Sequence, residues 1–514
     1  MQPLTDINEA NSKIFELHAE IERLRAQLAR MQRHIFGRRR ESIDPNQLLL
    51  FESGKAALEL LEREAKVAKM TPPAPELKKK GHGRKPFADH LPREEIEIDL
   101  PEAERCCPDC GEAMKFIGNE VSERGHFIPA KLVVNRYVRG KYACPRGHTV
   151  KCAPMPQGVI DKGKYEASVY AHVVTSKYSD HLPLNRLQGI FRRHGAEISK
   201  QSMWDMLVRF DELAAQPVLK EMHRQILQEG ALQADETTIK VRNEQGRGTR
   251  RGVLWVWRNV RGSPDQKVVA EFKDDRSAKG PDAFLGAWSG TLLTDGYDGV
   301  NPVATRNNIT RAGCWAHARR KFRDAMEAGA RKAAAVLRQV QRLFWIERAI
   351  IGRATRRGFD LDQLVELRED VRNRRSRGVL RKLYDLVFAL DEDPATQAND
   401  SLRKAVTYAI KQRMPLLAHL EDGRIPIHNN DTERDLRHVV TGRKNWLTFG
   451  SERGGRVAGR LYSLVMSAKL ARINVEEYLE DLLNRVSTTP MSRIAELTPW
   501  AWAQSRAAAA TQPS

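Results

Sequence analysis

The chain is poor in cysteine, has no long apolar run and falls short of acid. Six cysteines in 514 residues are too few to staple the chain with disulfides, and five of the six fall between 106 and 152, a concentration that points to metal. No apolar run approaches the roughly 18 to 20 residues needed to cross a bilayer. The N-terminal "MQPLTDINEA" also lacks the charged-then-apolar layout of a secretory signal, so the expectation is a cytoplasmic protein in a reducing compartment. Acid is outnumbered, 66 Asp and Glu against 86 Lys and Arg, which leaves a formal charge of +20 and makes a polyanion, nucleic acid first, the natural partner.

The basic residues cluster in "GRRRES" (37–42), "KKKGHGRKP" (78–86), "HARRKFR" (317–323) and "VRNRRSRGVLRK" (371–382), as on a binding surface. A chain of this length holds several domains. Residues 1–36 read as a coiled coil, with Ile7, Ile14, Ile21, Leu28 and Ile35 at an interval of seven and Leu17, Leu24 and Met31 at the offset position. Mostly Ile at a with Leu at d favours two parallel strands, hence a homo-oligomer. Residues 37–105 read as a basic, proline-rich linker, in which Arg84 can seek the negative potential of a DNA minor groove.

Residues 106–155 read as a zinc module. "CCPDCGEAMKF" and "YACPRGHTVKC" offer Cys107 and Cys110, then Cys144 and His148, two pairs whose thiolates and imidazole close a tetrahedral site. Cys152 competes with His148, and Cys106 with Cys107. Residues 156–225 are helical by period, with a break at Gly195, an N-cap at Ser199 and a second helix carrying Lys200 and Gln201. Helix, short turn, helix in a basic protein suggests a helix-turn-helix whose second helix enters the major groove.

The pattern then turns to strand. Runs at 230–241, 252–260 and 267–272 fit three antiparallel strands; 281–288 is a short helix, 290–300 a buried strand ending in a turn, and "RAGCWAHARRKFRDAMEAG" a short strand and a basic helix. That order is the order of a ribonuclease H-like domain, the first part of which spans 226–325. An acid in the first strand and one at the end of the fourth, Asp235 and Asp295, then lie side by side, and Glu236 points to the opposite face. Paired carboxylates in a basic protein can hold magnesium, two ions of which serve phosphodiester displacement. Residues 326–425 read as an Arg-rich helical insertion, 426–470 as the last part of the core, and 471–514 as a helical segment and tail. In "IHNNDTERDLRH" (427–438), Asn429 or Asn430 caps a helix, and Asn430 with Glu433 resembles a capping box.

Taken in order, the coiled coil followed by "IFGRRRESIDPNQLLLFE", "CCPDCG", "YACPRGH", "ADET", "TDGYDG", "CWAHARRKF", "NNDTERDLR" and "GRKNWLTFGSERGG" resemble the bacterial insertion-sequence transposases of the IS sixty-six type, which carry a DDE triad. The resemblance covers nearly the whole chain. It implies a multidomain α+β protein and a DNA transposase. Asp235, Asp295 and Glu433 would bind two Mg2+ or Mn2+ ions, with water or a 3′-hydroxyl as nucleophile. Arg437, one turn beyond Glu433, would steady it or reach a phosphate; His317, Arg320, Lys321, Arg443, Lys444 and Asn445 would touch DNA or the active site. Accessory proteins of the same element are plausible partners. The family commonly has a cysteine pair where this chain has Cys144 and His148. Two rival readings are a zinc-containing DNA-binding regulator without catalysis and a nuclease of the same fold.

Overall fold

The computed structural model describes residues 132–143, 150–152, 163–243, 248–260 and 265–511. The coiled coil, Arg84, Cys107, Cys110, Cys144 and His148 lie outside the described residues. Strands β1 (Lys141–Ala143) and β2 (Val150–Cys152) pair antiparallel. Helices α1 (Ala167–Val174), α2 (Leu184–Arg193), α3 (Lys200–Phe210) and α4 (Gln216–Ile226) follow, α1 running on into a wide turn at Thr175–Ser179. Gly195 leaves α2 at φ +78°, a left-handed conformation glycine adopts at little cost, and the Ser199 hydroxyl accepts from the Ser202 amide at 3.0 Å to start α3.

Among the described residues, a mixed sheet is set in mostly helical structure. Strands β3 (Ala231–Arg242), β4 (Thr249–Asn259) and β5 (Val268–Lys273) are antiparallel; β6 (Thr291–Thr294) and β7 (Thr310–Gly313) join parallel, in the order β5-β4-β3-β6-β7. Helices α5 (Lys279–Leu285) and α6 (Asn301–Arg306) flank β6, and α7 (Trp315–Glu327) follows β7. Next come α8 (Ala333–Arg357), α9 (Leu361–Val371), α10 (Arg377–Glu392), α11 (Pro394–Ala398), α12 (Asp400–Lys411) and α13 (Arg413–Leu417). The chain then returns through α14 (Asn430–Trp446) and β8 (Thr448–Phe449) to α15 (Glu452–Leu470), α16 (Val475–Val486) and α17 (Pro499–Thr511).

Two large apolar clusters, with two small ones beside them, hold these elements. In the first, Val173, Met203, Phe210 and Met222 from the leading helices are buried in one cluster with Val256, Trp257 and Phe272 of the sheet and with Leu461, Tyr478 and Leu482 of the closing helices. Helices α1 to α4 therefore pack as part of the sheet's own core. In the second, Trp315, Ala318 and Phe322 of α7 are buried with Val336, Val340, Leu383, Val406 and Leu416 of the helical insertion.

Edge strand β5 shows how the sheet is closed off. An unpaired strand edge leaves backbone donors and acceptors exposed. Here α15 covers that edge with small residues four apart: Gly455, Gly459, Ser463 and Ser467. A side chain at Gly459 would meet the Phe272 amide nitrogen at 3.1 Å, so glycine is what lets the helix approach. The Ser463 hydroxyl accepts from Ala270 N at 2.7 Å and Ser467 from Val268 N at 3.3 Å. Ser463→Ala removes the hydroxyl without adding bulk and orphans a buried N–H, so it is expected to cost about 1–3 kcal/mol, seen as a lower urea midpoint with an unchanged slope.

The insertion carries a pH dependence. His419 is buried at 2 % exposure beside Arg372, and burial first, then that guanidinium, pulls its imidazole from 6.5 down to about 3. The unfolded chain takes up this proton below about 6.5 and the folded chain does not, so the contribution is whole above that pH and is lost as the pH falls toward 3. At pH 5 the loss is on the order of 2 kcal/mol. Urea titrations at pH 7 and pH 5 should show this drop, and His419→Gln should flatten it.

Candidate active site

Two strands and two helix starts converge at one point. Strand β3 pairs with β6 through Gln233 and Leu293, and the same register carried two residues further sets Asp235 beside Asp295. Strand β6 ends at Thr294, and Gly296 at φ +98° turns the chain away, which leaves Asp295 at the strand tip, its carboxylate accepting from Tyr297 N at 3.1 Å. Burial, and next the charge of Asp295, push the Asp235 carboxyl up to about 8, with Glu236 and Glu433 adding to the rise against a bond from the Glu236 amide. Glu236 is ion-paired with Arg276, which lies over the Tyr297 ring at 4.5 Å.

On the same edge of β3, β8 pairs only at Lys240 and Val241, so the strand is open between β6 and β8. Helix α14 fills that gap. The side chain of Asn429, fully buried at its N-terminus, donates to Ala234 O at 2.9 Å and accepts from the Thr432 hydroxyl at 2.8 Å, while its backbone N–H donates to Cys314 Sγ at 3.2 Å. Further along, Arg443 donates to Thr237 Oγ1 at 3.0 Å and also to the Thr238 carbonyl. These bonds fasten the helix bearing Glu433 to the strand bearing Asp235.

The other acids of "NNDTERDLR" have separate tasks. Asp431 takes Arg434 at 2.8 Å, and Asp435 forms a buried pair with Arg258 at 2.8 Å. The capping expected of Asn429 or Asn430 is absent: Asn429 is the cap position but its side chain makes no cap bond, because that amide is spent on Ala234 and Thr432. Glu433 faces α7, with Oε1 3.7 Å from His317 Nε2 and 3.8 Å from Arg320 Nη2. Burial lowers the His317 pKa, while the nearby Glu433 and Asp295 oppose it. Both helix starts place their positive dipole ends toward the carboxylates.

The helical insertion reaches the same point. Tyr408 on α12 donates to Asp295 O at 2.8 Å, Lys411 pairs with Asp298 at 2.8 Å, and Lys321 lies 4.8 Å from the centre of the Tyr408 ring. Lys200 and Gln201 are exposed at the start of α3, and Gln201 donates to Asp205 at 2.9 Å. Arg437 and Lys444 are exposed on α14, and Arg437 makes no hydrogen bond to Glu433. Sequence reading alone missed Asn429 as a clamp, Tyr408 and the Arg258–Asp435 pair; nothing in a single sequence marks a partner 195 or 177 residues away.

The carboxylates suit a divalent cation in chemistry. They are oxygen donors, Glu433 Oε1 lies out of solvent with no hydrogen-bond partner, and Asp235 is held against its ionisation. Among the described residues, no three His, Cys, Asp or Glu side chains are gathered closely enough to share one ion. The fit rests on donor type and burial.

Comparison with known proteins gives the same direction along the whole chain. The Transposase IS66 family matches residues 162–457, the zinc-finger binding domain of transposase IS66 residues 104–146, the IS66 C-terminal element residues 463–500, and "Transposase C of IS166 homeodomain" residues 23–96. Three uncharacterized proteins of Sinorhizobium fredii are similar. One, y4hP, is 28% identical over 95% of this chain and 90% of its own; y4jD is 31% identical over 80% and 81%; y4qI is 32% identical over 81% and 77%. With more than half of its length matched by the family's central region, and with its zinc-finger and C-terminal regions matched as well, this chain belongs to the IS66 transposase family.

Proposed function

We propose that this protein cuts the ends of an insertion sequence and joins them to target DNA, on a ribonuclease H-like core whose triad is Asp235, Asp295 and Glu433. The observation that carries the reading is the β3–β6 register, which sets Asp235 beside Asp295, with Asn429 tying the Glu433 helix to the residue before Asp235. The strand order, three antiparallel strands followed by two parallel ones, supports the core assignment.

In this reading the three carboxylates hold two Mg2+ or Mn2+ ions. Bound there, the ions would activate the attacking oxygen and stabilise the leaving one. Water attack on a phosphodiester breaks one P–O bond and frees a 3′-hydroxyl; that hydroxyl then attacks a target phosphodiester, one P–O bond forming as another breaks. His317 and Arg320 flank Glu433 and fix its orientation. Lys200 and Gln201 would meet DNA through α3, Lys321, Arg437 and Lys444 through phosphates, and Arg84 in a minor groove. Arg443 acts first as a strand clamp. Cys107, Cys110, Cys144 and His148 would hold a structural Zn2+, the residues 144–149 falling between paired β1 and β2. The leading heptads would pair protomers, and accessory proteins of the element would complete the machinery. Among the described residues, no helix is long and apolar enough to cross a membrane, and we place the protein in the cytoplasm with its DNA.

The test is incubation of the purified protein with DNA carrying the element's own ends, with and without Mg2+. Metal-dependent cleavage followed by joining is expected. Binding without cleavage would favour a regulator, and cleavage without joining a nuclease.

A further inference from the structure

A second concave site lies at the other end of α14. A cavity of about 500 Å³ is lined by Lys177 from the wide turn after α1, by Leu184, Asn185 and Arg186 at the start of α2, by Lys200 of α3, and by the corner Asn445–Trp446–Leu447. Glu433 and Trp446 are thirteen residues apart on one helix, about 20 Å at 1.5 Å per residue. This cavity is therefore separate from the carboxylates.

Its walls have an unusual composition for a protein surface. Trp446 is half-buried, with Phe449 stacked against it at 4.8 Å and the Lys177 ammonium 5.9 Å from its ring centre. Leu447 is 67 % exposed and adopts φ 65°, ψ −49°. A leucine held in that region costs free energy, and such outliers persist where the surrounding structure imposes them, often at ligand sites. Among the described residues, Lys177, Asn185, Arg186, Lys200 and Asn445 form no side-chain hydrogen bond or ion pair with any group of the protein. Burial also pulls the Lys177 pKa down to about 8. Three cations without an anionic partner, two free amides and an aromatic ring beside an exposed apolar wedge match a nucleotide: phosphate for the cations, base edge for the amides, base face for the ring.

We propose that this cavity takes an unpaired nucleotide of the DNA substrate, the base laid against Trp446 and Leu447 and the phosphate held by Lys177, Arg186 and Lys200. The inference rests on the DNA-processing function proposed above. It makes the protein a reader of DNA structure, distinguishing a frayed or flipped position from a fully paired one.

The experiment uses the full chain and two duplexes of one sequence at one fixed salt concentration: a blunt one, and one with a single unpaired terminal 2-aminopurine nucleotide. The unpaired duplex should bind about tenfold more tightly, the scale of one base on an aromatic side chain, with 2-aminopurine emission quenched on binding. Asn185→Ala changes one exposed, neutral side chain that lines the cavity and has no side-chain partner. It should weaken the preference while leaving blunt-duplex binding unchanged, and Trp446→Leu should remove the quenching together with the preference. Equal affinity for both duplexes, or a preference that survives Trp446→Leu, would overturn the pocket while metal-dependent cleavage left the transposase reading standing. Failure to bind either duplex or to cleave would overturn both.

Discussion

Glu433→Gln should abolish both strand cleavage and strand joining, a loss of about a thousandfold or more in rate, with DNA affinity unchanged. Glutamine has nearly the same shape and keeps one oxygen, so the first turn of α14 should stand as before. What it removes is the negative charge that a cation requires. The neighbours make this a sharp test. Asp431 is engaged with Arg434 and Asp435 with Arg258, so neither is free to replace Glu433. Asp435→Asn should behave differently. It takes the charge partner from a buried arginine, so its main effect should be on stability, read from a denaturation midpoint, with chemistry falling only as the folded fraction falls. Opposite outcomes, full activity in Glu433→Gln and a dead but stable Asp435→Asn, would reassign the third acid.

Asn429→Ala should lower the turnover rate by about a hundredfold, the scale expected when a reacting group is misplaced by about 1 Å, and cost about 1–3 kcal/mol through the orphaned Ala234 carbonyl. Asn429 touches no substrate; it acts by holding the α14 start against β3, and so is a positioning residue. A purely structural role would predict that activity per folded molecule is kept. The positioning role predicts that turnover falls with DNA affinity intact even at temperatures where the variant is fully folded, and that added Mg2+ raises its melting temperature less than that of the wild type. Asn429→Asp, which keeps the acceptor for Thr432 but loses the donor to Ala234, should resemble the alanine variant.

Much of the sheet was legible because its strands announce themselves locally. β-rich runs separated by Gly, Pro and charge set β3, β4 and β5 within a few residues, and the run at 290–300, read as a strand ending in a turn, holds β6 at Thr291–Thr294. Ser199 stood out as a cap for the same reason: the bond it makes spans three residues. Contacts that cross the chain were not legible. The seating of α15 on β5 depends on small residues that look like an ordinary helix stripe until the strand is in place. Asn429 looked like a helix cap because asparagine commonly is one, and only the nearness of Ala234 diverts its amide. The union of the leading helices with the sheet was hidden too, since a buried face does not reveal what covers it.

The most direct test of the triad is metal-specificity exchange at Asp295→Cys. Thiolate is a poor ligand for Mg2+ and a better one for softer ions such as Mn2+. With DNA affinity matched to the wild type, the account predicts that the variant is inactive in joining assays with Mg2+ and recovers joining with Mn2+. Loss of equal depth with both metals, or no loss with Mg2+, would contradict the claim that Asp295 holds the ion that drives the chemistry.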